Sequence, residues 1–154
     1  MNQPRTPIAT NEQIDRWLLR GYVKPEVQRV VLAVWWGLYT LEDAIEEARG
    51  IARLIAQKAK VSPEIADAVA LSAVDEEMQR QEAEHAKTFE VLAEAAAGAI
   101  RDGMSRRDAR RLIAELAKTR PLLPLPQTLA SALEEGARRQ RKAEYWWKKR
   151  EAQA

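Results

Sequence analysis

The chain has 154 residues, of which 46% are hydrophobic and 31% charged, and its formal net charge is +2. This length and composition are typical of a single folded domain with a working core. Cysteine is absent and His85 is the one histidine, which excludes disulfides, thiolate metal sites and any chemistry that needs two histidines.

The first ten residues lack the apolar core of a signal peptide, and the uncharged run at residues 30–41 is too short to span a bilayer. We therefore expect an intracellular protein, or a component of a virion assembled in the host cytoplasm. Asparagine is rare and ionic residues are dense, a bias that is seen in thermophile proteins.

Charge is sorted along the chain. Residues 41–100 contain six Lys/Arg and thirteen Asp/Glu, whereas residues 101–154 contain fourteen and seven. An acidic middle and a basic end suit two arrangements: a polyanion bound by the basic part, or copies stacked end to end.

Glycine is scarce and strong helix formers dominate, so the sequence predicts an all-α domain of five to six helices. After an extended arm at 1–9, Thr10 is expected to cap a short helix that Gly21 ends. Pro25 then begins a second helix, 25–39, whose apolar residues lie on nearly every side. Such a helix is central, covered by its neighbours or by another subunit.

These two segments superficially resemble a helix-turn-helix. The second helix, however, would offer the bases only Gln28 and Arg29. A recognition helix must present donors and acceptors in the major groove, so sequence-specific DNA recognition is not expected here.

A capping-box pattern at Thr40–Asp43 predicts a third helix to about Lys60. Its expected inner face consists of Leu41, Ile45, Ala48, Ala52 and Ile55. Ser62 and Pro63 begin a long acidic helix at about 62–102. The middle of this helix, 75–87, is polar on nearly every face, which predicts that it bridges solvent or lies against a partner.

Ser105 is expected to begin a basic helix that ends before Pro121. The Pro-rich stretch 121–126 predicts a stiff connector, which is followed by a last helix over 126–150. Leu112, Ile113 and Leu116 share the expected inner face of the first of these helices with Ala109. The inner face of the last helix is expected to contain Leu129, Leu133, Gly136, Gln140, Ala143 and Trp147.

Cations fall on the opposite faces of both helices. On the first they are Arg107, Arg111 and Lys118, with Arg110 on the flank, and on the last they are Arg138, Arg141, Lys142 and Lys149, with Tyr145 beside them. Cations at helical spacing can follow phosphates without contacting bases, which gives salt-sensitive, sequence-tolerant binding. A face that only keeps the protein dissolved is the alternative.

Five tryptophans are more than a chain of this length ordinarily has. Because adjacent helical residues point about 100° apart, one ring of each adjacent pair should pack inside and the other should meet a second surface. The expected interface residues are Trp17, Trp35, Trp36, Tyr145, Trp146 and Trp147. For Trp35 and Trp36 a broad core explains the pattern nearly as well.

Enzyme motifs are missing from the sequence. Glu82 and His85 form a Glu-x-x-His pair, half of a di-iron ligand set, but a second such pair would need a second histidine. There is no Gly-rich phosphate loop, no nucleophile elbow and no cysteine nucleophile. We expect a protein that is not an enzyme and that uses no metal, cofactor or small-molecule substrate.

The small, cysteine-free, Ala- and Arg-rich all-helical chain with sorted charge resembles the coat (major capsid) proteins of filamentous archaeal double-stranded DNA viruses. The resemblance implies a helical nucleoprotein of many copies, often of two related subunits, wrapped around a duplex in A-like form. Under it, phosphate contacts would come from Arg5, Arg16, Arg20, Lys24 and the basic faces of the last two helices. The acidic region 41–100 departs from a DNA-lining surface, so it should face outward or meet a basic neighbour.

The leading hypothesis is a structural, sequence-tolerant DNA-binding protein that self-assembles, most concretely a capsid subunit. One alternative is a phage- or plasmid-type regulator that binds a host protein such as RNA polymerase. Another is a helical scaffold or adaptor without nucleic acid, in which basic ends meet the acidic middle of neighbouring copies.

Overall fold

Five α-helices make up the protein in a computed structural model that describes residues 10–154. They are α1 (Asn11–Trp35), α2 (Leu41–Ala59), α3 (Pro63–Arg101), α4 (Arg106–Ala117) and α5 (Pro126–Gln153). The described residues contain no β-strand, which confirms the all-α prediction. The arm predicted at 1–9 lies outside the described part.

The chain divides into two compact units, Met1–Arg80 and Gln81–Ala154. The first contains α1, α2 and the beginning of α3, and the second contains the remainder of α3 with α4 and α5. Each unit has a hydrophobic core of its own.

The prediction of two separate helices before residue 40 is wrong, because α1 runs without a break through Gly21 and Pro25. Proline removes one backbone hydrogen bond and ordinarily interrupts a helix. Here an apolar row at four-residue spacing continues across it, and its members are buried: Leu19, Val23, Val27 and Val31. Burial of that row keeps the helix in register. The turn that a helix-turn-helix requires is therefore absent.

The end of α1 is set by Gly37, which has a φ of +72°. The backbone N–H of Leu38 donates to the carbonyl of Ala33 at 2.9 Å, and that of Gly37 donates to Val34 at 3.0 Å. This is the Schellman pattern, in which a glycine adopts the left-handed conformation with no Cβ penalty.

Helix α2 begins as predicted, with a capping box between Thr40 and Asp43. Its buried residues are alanines at four-residue spacing, Ala44, Ala48, Ala52 and Ala56. The inner face predicted from the sequence lies part of a turn away from this buried row. Ile45 and Ile55 are half-buried at the edge of the row, and Leu41 is exposed. A row of methyl groups allows α2 to approach its neighbours closely.

The first unit has salt bridges between its helices. Arg29 of α1 donates to Glu47 of α2 at 2.8 Å. Arg53 of α2 donates twice to Asp67 of α3, at 2.7 Å each, and these bonds lower the pKa of Asp67. Arg29 of α1 and both arginines of α2, Arg49 and Arg53, thus bind carboxylates of their own unit.

Helix α3 differs from the prediction in its middle. Glu77 and Gln81 of the polar middle, 75–87, and Thr88 directly after it are buried. They follow the helical period of the apolar residues before and after them, so the face of α3 that packs inside the chain continues through this polar stretch. Its middle is therefore not solvated on every side.

The second unit packs three helices around small side chains. Its core contains Leu92, Ala96 and Ala99 of α3, Ala109, Ile113 and Ala117 of α4, and Ala132 and Leu133 of α5. Ser105 caps α4 as predicted. Leu112 was placed on the inner face but is 43% exposed, because the close packing of α4 through alanines leaves a narrow buried row.

Gly136 marks the closest approach of α5 to α3. A Cβ at this position would lie 2.6 Å from the Cβ of Ala96 and 2.8 Å from the backbone oxygen of Ala93. Only a residue without a side chain fits between the two helices there.

Helix α5 changes character along its length. The packed segment, residues 126–140, contributes Ala132, Leu133, Gly136 and Ala137 to the interior. The distal segment, residues 141–153, is exposed at every position. The prediction that Ala143 and Trp147 continue the inner face is therefore wrong. Both residues lie at helical spacing from the buried residues of α5, but no neighbouring helix covers them.

No helix within residues 10–154 is long and apolar enough to cross a bilayer.

Candidate nucleic-acid interface

The exposed cations of the second unit that form no ion pair within residues 10–154 lie in two groups, on α4 and α5. On the distal segment they are Arg141, Lys142, Lys148, Lys149 and Arg150, and on α4 they are Arg107, Arg110 and Arg111. None of these eight side chains makes an ion pair with a carboxylate of residues 10–154. Their charges are available to an external anion.

The packing of α4 determines where its exposed arginines point. A capped start at Ser105 fixes α4, and Arg106 donates to Glu134 of α5 at 2.5 Å. The buried row of α4 turns Ala109 and Ile113 inward, so Arg107 and Arg111 point outward. The cationic face of α4 predicted from helical spacing is thus confirmed for its arginines.

Other predicted phosphate contacts are already engaged. Arg16 pairs with Glu12, Arg20 with Glu76, Lys118 with Glu115 and Arg138 with Glu135. Lys24 is exposed and lines a groove of the first unit, and Arg5 lies outside the described residues. Arg16, Arg20 and Lys24 belong to the first unit, whereas the cations of α4 and α5 share the second.

In the packed segment of α5, unlike the distal segment, the arginines form ion pairs with carboxylates. Arg139 donates two hydrogen bonds to Glu90 of α3, at 2.7 and 2.8 Å, and a third to Glu135 at 3.0 Å. Arg138 donates two to Glu135, at 2.6 and 2.8 Å. Hydrogen bonds from Arg138 and Arg139 lower the pKa of Glu135 to about 2, and the bonds from Arg139 lower the pKa of Glu90.

Three aromatic rings are interleaved with the unpaired cations. Tyr145, Trp146 and Trp147 are 60%, 50% and 65% exposed. Tyr145 meets Trp146 edge to face with ring centroids 5.8 Å apart, and the ammonium of Lys149 lies 5.2 Å from the centroid of Trp146. The expectation that one ring of this pair packs inside is wrong, since both are exposed.

The other tryptophans behave differently. Trp35 is half-buried against the core of the first unit, and Trp36 beside it is exposed. One ring of this pair is inside and one outside, as predicted. Trp17 is exposed on α1.

Sequence reasoning missed Lys148 and Arg150, which are as exposed and unpaired as the predicted cations around them. The signal was present as the run of three cations at 148–150. Assigning an inner and an outer face to the whole helix hid it, because residues off the outer stripe were discounted.

A groove of about 570 Å³ in the first unit was also missed. Its apolar lining comes from Trp17, Leu18, Tyr22 and Val27 of α1 and Ala73 of α3. Arg20 and Glu76 form an ion pair at its rim. Trp17 was predicted as an interface residue, and Leu18 and Tyr22 extend that exposed apolar surface.

Within residues 10–154, no three potential metal ligands among His, Asp and Glu side chains come together. Glu82 is exposed and His85 is half-buried, and burial lowers the pKa of His85. Lowering the pKa of an imidazole by desolvation favours its neutral form.

Comparisons with models of protein families, with curated proteins and with solved structures found no match. The geometry described above is therefore the basis for assigning a function.

Proposed function

We propose that this protein binds the phosphate backbone of DNA through the cations of α4 and the distal segment of α5, without reading sequence. The observation that supports this most is the set of eight exposed cations with no carboxylate partner in residues 10–154. In the packed segment of the same unit, by contrast, Arg138 and Arg139 are paired with carboxylates.

Binding without sequence preference follows from the residue types. Arginine and lysine on helix faces neutralise phosphates at any base sequence and release counterions, which makes affinity depend on salt. The distal segment contains no asparagine, and its one glutamine, Gln153, is near the end. Those amides are the side chains that best recognise adenine in the major groove.

The most concrete form of the proposal is a coat subunit that assembles on DNA. The exposed aromatic residues Trp17 and Trp36 provide apolar area on the first unit, as contacts between subunits require. The resemblance to coat proteins of filamentous double-stranded DNA viruses supplies the virion as the setting, with a related second subunit as an additional partner.

Fluorescence anisotropy with two duplexes of equal length and unrelated sequence tests the binding. We expect dissociation constants that agree within about threefold, since phosphate contacts carry no sequence information. Absence of binding at low salt, or a strong preference for one duplex, would overturn the proposal.

Size-exclusion chromatography tests assembly. We expect the protein to elute earlier with duplex DNA, at a mass corresponding to several copies for each duplex. A complex of one copy with one duplex at saturation would contradict the coat-subunit form and leave DNA binding standing.

A further inference from the structure

The distal segment of α5 combines aromatic rings and cations on one stretch of exposed helix. Ala143, Trp146, Trp147 and Arg150 line a groove of about 520 Å³ on its surface. These positions follow the i, i+3, i+4, i+7 spacing, so they share one face of the helix. The small side chain of Ala143 leaves room between the helix backbone and the two indoles.

Rings and cations alternate around the helix. At about 100° per residue, Tyr145, Trp146 and Trp147 spread over roughly 200° of the circumference. Lys149 falls between Tyr145 and Trp146, and Arg150 falls between Trp146 and Trp147. The contact of Lys149 with the Trp146 ring, 5.2 Å from the centroid, shows this interleaving directly.

This pattern fits few partners. A helix that lies in a membrane interface separates an apolar face from a charged one, whereas these rings and charges are intermixed. The segment contains no Leu, Ile, Val, Met or Phe, the side chains that form coiled-coil seams and large apolar anchors. Five cations against Glu144 and Glu151 favour an anionic partner.

A single nucleic-acid strand meets these requirements, because its unpaired bases and its phosphates alternate along the chain. Bases stack on aromatic side chains whatever their identity, and neighbouring cations hold the backbone. In an intact duplex the faces of the bases are stacked on each other and are not accessible to indole rings.

We propose that the distal segment is a stacking site for unpaired bases, with Trp146 and Trp147 contacting the bases and Lys149 and Arg150 the adjacent phosphates. The inference rests on the proposed nucleic-acid binding and adds that the nucleic acid bound by this segment is single-stranded. It makes the protein a binder of single strands, or of unpaired ends and openings in a duplex, as well as of duplex backbone.

The test compares one fluorescein-labelled oligothymidylate, alone and annealed to its complement, with three variants of the full chain. They are the double variant Trp146→Ala/Trp147→Ala, the conservative double variant Trp146→Phe/Trp147→Phe, and the control Leu54→Ala, which removes an exposed apolar side chain of α2. Circular dichroism verifies that each variant keeps its helix content, which is expected because these side chains are exposed.

Stacking contributes about 1–3 kcal/mol per base, so the double alanine variant should bind the single strand at least tenfold more weakly. Its duplex affinity should stay within about twofold of wild type. The phenylalanine variant should recover most of the loss, and Leu54→Ala should match wild type.

Unchanged single-strand affinity in the double alanine variant would overturn the stacking site, as would an equal loss for single strand and duplex. Wild-type binding to the duplex but not to the single strand would overturn this inference alone, whereas binding to neither would also remove the proposed function. Loss of binding to phosphatidylserine vesicles with single-strand binding intact would assign the rings to a membrane surface and overturn the site.

Discussion

The two segments of α5 use the same residue types in different ways. In the packed segment, Arg138 and Arg139 donate to Glu135, and Arg139 also reaches Glu90 of α3. In the distal segment, five cations have no carboxylate partner in residues 10–154, and Tyr145, Trp146 and Trp147 are exposed. One helix thus provides internal salt bridges at its beginning and a free cationic surface at its end.

The difference shows that surroundings, more than composition, separate a structural cation from a binding one. A guanidinium held by two or three carboxylate oxygens is already satisfied, and its charge is compensated. An exposed, unpaired one breaks no internal salt bridge when it binds a phosphate. The following variants test this contrast, beginning with the largest expected effect.

Neutralising the distal segment should weaken DNA binding strongly. The variant Arg141→Gln/Lys142→Gln/Lys149→Gln/Arg150→Gln removes four unpaired cations, and we expect duplex affinity at low salt to fall about a hundredfold. Fluorescence anisotropy with a labelled duplex measures it.

The matched control is Arg138→Gln, one exposed cation on the packed segment of the same helix. Because Arg138 is bound to Glu135, we expect duplex affinity within about twofold of wild type. If Arg138→Gln weakened binding as much as the four distal changes together, the distinction between the two segments would be wrong.

Gly136 tests the contact that holds the packed segment against α3. In Gly136→Ala the new methyl would overlap Ala96 and the backbone of Ala93, so we expect a loss of about 1–3 kcal/mol in the free energy of unfolding. Urea denaturation followed by circular dichroism measures it.

Gly50→Ala in α2 is the control for the intrinsic preference of alanine in helices. Nothing lies within 4 Å of the added carbon, and we expect stabilisation of about 0.5–1 kcal/mol. Equal effects of the two substitutions would show that α5 does not approach α3 as closely as described.

Acid should loosen the packed segment by a smaller amount. The pKa of Glu135 is about 2 because of its hydrogen bonds with Arg138 and Arg139, below the ordinary value of 4.5. A carboxyl with a lowered pKa stabilises the fold fully above its unfolded pKa and loses that contribution as pH falls from about 4.5 through 2. The stability difference between wild type and Glu135→Gln should therefore shrink between pH 5 and pH 3.

Urea midpoints at the two pH values provide the measurement. A gap that stays constant or widens as pH falls would show that Glu135 does not hold its charge through these arginines. Lys142→Gln in the distal segment, which has no carboxylate partner in residues 10–154, serves as the control and should give the same gap at both pH values.

Most of the fold could be predicted from local signals. The caps Thr40 and Ser105 and the prolines at 63 and 126 gave the starts of four helices, because side-chain caps act within one turn. The prediction of two helices separated at Gly21 and Pro25 was wrong because glycine and proline were expected to end a helix whatever its packing. The row from Leu19 to Val31 spans both and contributes more by burial than the proline costs.

The site was only partly predictable for a related reason. Helical spacing identified the face that holds Arg107 and Arg111, since a face follows from period alone. It could not tell that α5 continues beyond the helices that cover it, so Ala143 and Trp147 were assigned to the interior. It also could not tell that Arg139 has a carboxylate partner in Glu90 of α3, which depends on packing in three dimensions. The pair of Arg138 with Glu135, by contrast, lies at i, i+3 spacing on one helix and could be found in the sequence.

The dependence of duplex affinity on salt tests most directly whether the unpaired cations bind phosphates. For the wild type, the logarithm of the association constant should fall linearly with the logarithm of salt concentration between about 50 and 200 mM. The variant with four distal cations neutralised should give a slope shallower by about 4. An affinity that stays constant over this range, or identical slopes for the two proteins, would contradict phosphate binding by the distal segment.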